Sequence, residues 1–132
     1  AMIAIEPAGT GDITDNIAWD SKRQVPKKPS LILVDDLLYM IKDDGVLSCV
    51  DAKTGENIYS ERVQGEYDAS PLYADGRIYL FSKKGRVPVV KVGREFELLA
   101  DNQFDDGFMA SPAVYKDSLI LRTKSAVYRI GK

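Results

Sequence analysis

Any chemistry in this chain has to be done without histidine: its 132 residues contain none, so imidazole general bases and imidazole metal ligands are both excluded. The nucleophile to consider is Cys49, the only cysteine. It lies in the apolar stretch Leu47-Ser48-Cys49-Val50 with no histidine to activate it, and reads as a buried, inert thiol. A lone cysteine also rules out an internal disulfide and a cysteine-histidine zinc site. Paired carboxylates stand at Asp35-Asp36, Asp43-Asp44 and Asp105-Asp106, and Asp12, Asp15 and Asp20 cluster near the start. None has the dense Asp-x-Asp-x-Asp-Gly spacing with a distal Glu that wraps calcium, so the pairs read as hairpin turns and the cluster as a solvated loop.

What remains is recognition. Tyr67 and Asp68, and again Asp105, Asp106, Phe108 and Met109, fall in the two segments that link successive groups of strands. Linking segments of this kind gather on one rim of a repeat array, so these six residues are expected to form an acidic and aromatic surface for a protein or small ligand. No catalytic, cofactor-binding or metal-binding residue is assigned.

The elements that position this rim repeat. Ser70-Pro71-Leu72-Tyr73-Ala74-Asp75-Gly76-Arg77-Ile78-Tyr79-Leu80 has an earlier copy over residues 30–40 and a later one over 111–121. Tyr39 maps onto Tyr79 and Gly45 onto Gly85 at an offset of 40, and Ser70-Pro71 onto Ser111-Pro112 at 41. That period suits four-stranded propeller blades. Short runs rich in β-formers at residues 31–34, 37–42, 46–51 and 56–63, separated by Asp35-Asp36, Asp43-Asp44-Gly45 and Lys53-Thr54-Gly55, predict an up-and-down meander. A second set occupies 71–74, 77–82, 86–92 and 96–101, with Pro88 predicting a bulge or weakened pairing in its third strand. A third occupies 113–115, 118–123 and 126–130.

The chain is therefore expected to be all-β, a single propeller segment of about three antiparallel blades over residues 1–132. Residues 1–15 are a lead-in loop, 16–23 a displaced outer strand, and 29–66, 67–107 and 108–132 the three blades, the last without its outer strand. The displaced strand would complete a blade in cis or in a partner chain, since Asn16-Ile17-Ala18-Trp19 resembles the fourth-strand start Asn57-Ile58-Tyr59. Three blades make an awkward ring, so the chain is expected to be a piece of a longer propeller, and a homodimer of paired half-rings follows from the second option.

Eighteen basic and twenty acidic residues, in no long run of one sign, argue against a nucleic-acid footprint or an anionic membrane surface. No apolar run is long enough for a membrane-spanning helix, and the first residues lack an export signal.

Cys49-Val50-Asp51-Ala52-Lys53-Thr54-Gly55-Glu56-Asn57-Ile58-Tyr59 resembles the repeat of quinoprotein-like β-propellers, and the Ser-Pro-x-x-x-Asp-Gly-x-Ile-Tyr-Leu pattern over 70–80 is similar to that family too. The resemblance covers roughly residues 16–132. It implies either a non-catalytic propeller or a dehydrogenase holding pyrroloquinoline quinone with calcium. Catalytic members resemble one another in a central site of carboxylates, an amide, a stacked tryptophan and often adjacent cysteines, none of which carries over here: Trp19 is the one tryptophan and Cys49 has no neighbouring cysteine. The resemblance thus implies the non-catalytic branch, without cofactor, acting as a scaffold in the periplasm or outside the cell. Two alternatives stay open: a piece of a quinone-dependent dehydrogenase whose site lies elsewhere, and a carbohydrate-binding module using exposed tyrosines.

Overall fold

The structure is a computed structural model, and it describes residues 1–131. Among these, thirteen strands and one 3-10 turn (Thr14–Asn16) make four antiparallel sheets. The first blade is β3 (Ile32–Val34), β4 (Leu37–Ile41), β5 (Val46–Asp51) and β6 (Asn57–Arg62), each strand hydrogen-bonded to the next in sequence. The second repeats it as β7 (Leu72–Ala74), β8 (Arg77–Tyr79), β9 (Arg86–Lys91) and β10 (Leu98–Gln103), and the third as β11 (Ala113–Tyr115), β12 (Ser118–Arg122) and β13 (Val127–Gly131).

Local chemistry explains the meanders. The two-residue turn between first and second strands opens in every blade on a residue with positive φ: Asp35 at 52°, Asp75 at 49° and Lys116 at 53°. Aspartate tolerates this at the first two turns, where tight hairpins form readily, while Lys116 adopts it without that advantage. Between second and third strands the turn needs glycine for a further reason. Gly45 and Gly85 have φ of 89° and 88°, and a Cβ at Gly85 would sit 2.5 Å from the carbonyl oxygen of Phe104 and 2.7 Å from that of Asp106. Only a bare Cα lets the next linking segment cross this turn.

Pro88 acts as its chemistry demands. It offers no N–H to the second strand, and β8 pairs with β9 over three residues where β4 pairs with β5 over five. The bulge of the second blade lies between Leu98 and Ala100 of β10 instead.

Alternating side chains cover the faces between blades. Tyr39, Ile41, Leu47 and Cys49 of the first blade pack on Ile78, Leu80 and Val90 of the second in one core, and Phe81 and Val87 pack with Phe108 and Leu121 in the next. Burial of such side chains stabilises by roughly 1.5–3 kcal/mol each. The Tyr39 hydroxyl bridges the first joint: it accepts from the Gly93 N–H at 2.9 Å and donates to the Gly93 carbonyl at 3.2 Å. Burial pushes its pKa up to about 12, so it stays a donor across the physiological range.

The N-terminal region differs from the expected lead-in loop. Residues 1–15 contain a strand, β1 (Met2–Ile5), and Ile17–Ser21 (β2) pairs antiparallel with it rather than with the third blade. Met2 and Ala4 are half-buried while Ile3 and Ile5 face outward, the alternation of a strand with one covered face. The hairpin repeats the outer half of a blade. Ala4 pairs with Trp19 as Cys49 pairs with Tyr59, and the bulge falls at Ala4/Ile5 as it does at Cys49/Val50. The strand order is third-fourth, then two complete blades, then first-second-third.

Candidate recognition rim

The linking segments and the turns between second and third strands come together at one edge of the sheets. Tyr67 N–H bonds to the Asp43 carbonyl at 3.0 Å, Lys83 N–H to that of Glu66 at 2.8 Å and Phe108 N–H to that of Ser82 at 3.0 Å. Each linking segment is thereby tied across the neighbouring turn. On the strand side the blades are stitched by a run of equivalent serines. Ser30 N–H donates to Ser70 Oγ at 3.0 Å, and Ser70 N–H to Ser111 Oγ at 3.2 Å.

The six rim residues divide. Tyr67 and Phe108 are not available to a partner, being 0% and 1% exposed. Their rings fill gaps between blades, which stabilises more than solvent exposure of an aromatic would. Tyr67 donates to the Gln64 carbonyl at 3.1 Å, and burial holds its pKa above the usual tyrosine range. Phe108 packs edge-on against Phe81 and Phe104, at 5.4 and 5.2 Å between centroids. Asp68, Asp106, Asp105 and Met109 remain at or near the surface. Asp68 is mostly shielded, accepting a 3.0 Å bond from Lys28 with Lys83 at 3.9 Å. Asp106 caps the Gly107 N–H at 2.8 Å; that bond and the Ser125 hydroxyl hold its carboxyl below the ordinary range. Asp105 is exposed and Met109 is 62% exposed.

The rim that results is charged and laddered rather than acidic and aromatic. Lys28, Asp43, Asp44, Glu66, Asp68 and Lys83 surround a shallow cleft of about 310 Å³. Beside it Arg86 is forked on Asp101, with Nε 2.8 and 2.9 Å from the two carboxylate oxygens, and also meets the Gln64 side chain. At the third blade Met109 lies by Arg122 and Lys124 around a smaller hollow of about 220 Å³. Lys28 was legible only through the period: positions 28, 68 and 109 are equivalent, so a cation in one linking segment meets an anion in the next.

The aspartates of the other edge make turns. Asp51 Oδ1 accepts the N–H groups of Lys53 and Thr54 at 2.9 and 3.1 Å, which holds its carboxyl below the ordinary range. Trp19 donates from Nε1 to the Ala52 carbonyl at 2.9 Å and lies on Gly55, where a Cβ would come within 2.7 Å of the ring. Cys49 is buried, with its thiol pKa raised by burial. With the tryptophan committed to a turn and the thiol sealed between blades, these residues do not fit a quinone site. Among the described residues no group of three or more acidic, cysteine or histidine side chains converges for a metal, and no helix is long and apolar enough to cross a membrane.

Residues 4–93 match the model of a PQQ-repeat family described as outer membrane protein assembly factor BamB. The chain belongs to this family. The assembly factor BamB of Marinobacter adhaerens is 24% identical over 90 residues, which is 68% of this chain and 23% of that protein. The chain thus spans about a quarter of the length of that curated relative. Among solved structures, BamB from Moraxella catarrhalis superposes with a TM-score of 0.61 at 15% identity, covering 74% of this chain and 29% of that one. Quinohemoprotein alcohol dehydrogenase from Comamonas testosteroni gives 0.59 at 16% identity, covering 74% and 17%. At such identities the structural likeness shows the propeller fold, which both kinds of protein share.

Proposed function

We propose that this segment is a non-catalytic recognition scaffold whose rim, carried by residues 27–28, 43–44, 66–68, 83–84 and 105–109, docks an extended stretch of another protein. The observation that supports the reading is Met109: a flexible apolar side chain, 62% exposed, at the end of a ladder of paired charges. Charges that are already paired impose register and cost little to bury at a polar interface border, while the thioether offers apolar area without fixed shape. Membership of a family described as an outer membrane protein assembly factor supports a protein partner, in the periplasm and belonging to that assembly process.

Site-specific photo-crosslinking in cells tests this. A photoreactive residue at position 109 should give a discrete crosslinked protein band, and one at position 116, on the opposite edge, should not. Equal bands from both positions, or none from either, would remove the rim. Adding pyrroloquinoline quinone and calcium should produce no bound chromophore and no dye-coupled alcohol oxidation; activity would favour the dehydrogenase reading instead.

A further inference from the structure

The chain has three Asp-Gly steps, Asp44-Gly45, Asp75-Gly76 and Asp106-Gly107, and the fold treats one of them differently. Such a step is open to a ring closure that other sequences resist, because glycine puts no side chain in the way as its nitrogen approaches the aspartate carboxyl. Folding decides whether the two groups meet. The Asp44–Gly45 peptide is held at both ends: its carbonyl accepts from Arg62 Nη1 at 3.0 Å, its N–H donates to the Lys42 carbonyl at 2.8 Å, and the Asp44 carboxylate is paired with Lys42 at 2.8 Å. The Asp106 carboxylate accepts the Gly107 N–H at 2.8 Å and a bond from Ser125, so the nitrogen presents its proton to an oxygen rather than its face to the carboxyl carbon. The Lys83 carbonyl lies against Gly107, whose own carbonyl accepts from Lys124 at 3.1 Å. Neither carboxyl is free to swing over its glycine.

Asp75-Gly76 lacks these restraints. Both residues have positive φ, 49° and 71°, as a two-residue hairpin turn requires. Among the described residues neither the Asp75 carbonyl nor the Gly76 N–H has a hydrogen-bond partner, and beyond its chain neighbours nothing lies within 4 Å of the Cβ position of Gly76. The Asp75 side chain is 91% exposed, and its ion pair with Arg77 Nη1 at 3.2 Å is a surface contact of small worth. The equivalent turns of the other blades, Asp35-Asp36 and Lys116-Asp117, have no glycine in second place, so the open step belongs to the second blade alone.

We propose that Asp75 is a site of spontaneous isomerisation to isoaspartate, and so a substrate site for carboxyl methyltransferases that act on that residue. The Gly76 nitrogen attacks the carbon of the protonated Asp75 carboxyl; an N–C bond forms, the C–OH bond breaks, and the hydroxyl leaves as water with the amide proton, closing a succinimide ring. Water then adds to either ring carbonyl. Opening at the side-chain carbonyl restores aspartate, whereas opening at the main-chain carbonyl routes the backbone through the former side chain and lengthens it by a methylene. A two-residue loop has no slack for that. Strands β7 and β8 pair through three positions, from Leu72 with Tyr79 to Ala74 with Arg77, and the Gly76 carbonyl accepts from the Val92 N–H at 3.0 Å, so isomerisation loosens the start of the second blade.

The test incubates the chain in mildly acidic buffer, folded or in urea, counts isoaspartate by enzymatic carboxyl methylation and locates it by peptide fragmentation. In the folded chain it should accumulate at position 75 several times faster than at 44 or 106, whereas in urea the three steps should react alike. Asp75→Glu, which would have to close a larger ring, should remove most of the methyl acceptance of the folded chain. Equal accumulation at the three positions of the folded chain would overturn the proposal, as would an excess at 44 or 106 or none at 75. A preference for 75 that persists unchanged in urea would remove the fold as its cause.

Discussion

The Tyr39 hydroxyl shows how a single group joins two blades. It satisfies both backbone groups of Gly93 while its ring lies in the core. Tyr39→Phe removes no packing but takes away the partner of the half-buried Gly93 N–H and C=O, so unfolding free energy should fall by about 1 kcal/mol in urea titrations. The pairing of Arg86 with Asp101 makes a second prediction at this scale. The guanidinium holds the Asp101 carboxyl below its ordinary value of 3.8, so its stabilisation is complete above that value and is lost as pH falls through the lower, folded pKa. Thermal melts of the parent should therefore weaken below about pH 4. Asp101→Asn should be less stable at neutral pH and show a shallower acid slope. Residue types alone excluded imidazole chemistry and marked Cys49 as inert. They misplaced Tyr67 and Phe108, because an aromatic in a linking segment looks the same in sequence whether its ring points outward or between blades.

Among the elements, the meander was readable wherever a turn had a chemical signature. The paired acids before Gly45 and the Asp75-Gly76 step marked hairpins because few residues accept positive φ. Gly85→Ala tests the equivalent turn of the second blade, which only glycine fits. Strain at φ 88° together with the crowding by Phe104 and Asp106 carbonyls should cost about 2 kcal/mol or more, read as a lowered denaturant midpoint. The hairpin of β1 and β2 was the element that sequence concealed. Its strands are separated by a long stretch with Pro7, Gly9 and Gly11, so no short turn announces the pairing. The Asn-Ile similarity also set the repeat one residue out of step: the structure aligns Trp19, not Ala18, with Tyr59.

At the scale of the molecule, each blade is a thin sheet that cannot cover both of its faces, and stability comes from stacking. That is why the 40-residue period revealed the fold while the site stayed obscure. The period is written in turn and core residues that every blade needs, whereas the rim is built from pairings such as Lys28 with Asp68 that cross between repeats. Nuclear Overhauser contacts across the joints test this most directly. Stacked blades place the Phe104 and Tyr128 rings 5.3 Å apart and the Tyr59 and Phe96 rings 5.9 Å apart, so both pairs should give ring-to-ring cross-peaks in the folded chain. Cross-peaks within each sheet but none between Tyr59 and Phe96 or between Phe104 and Tyr128 would contradict the stacking, and with it the rim that depends on it.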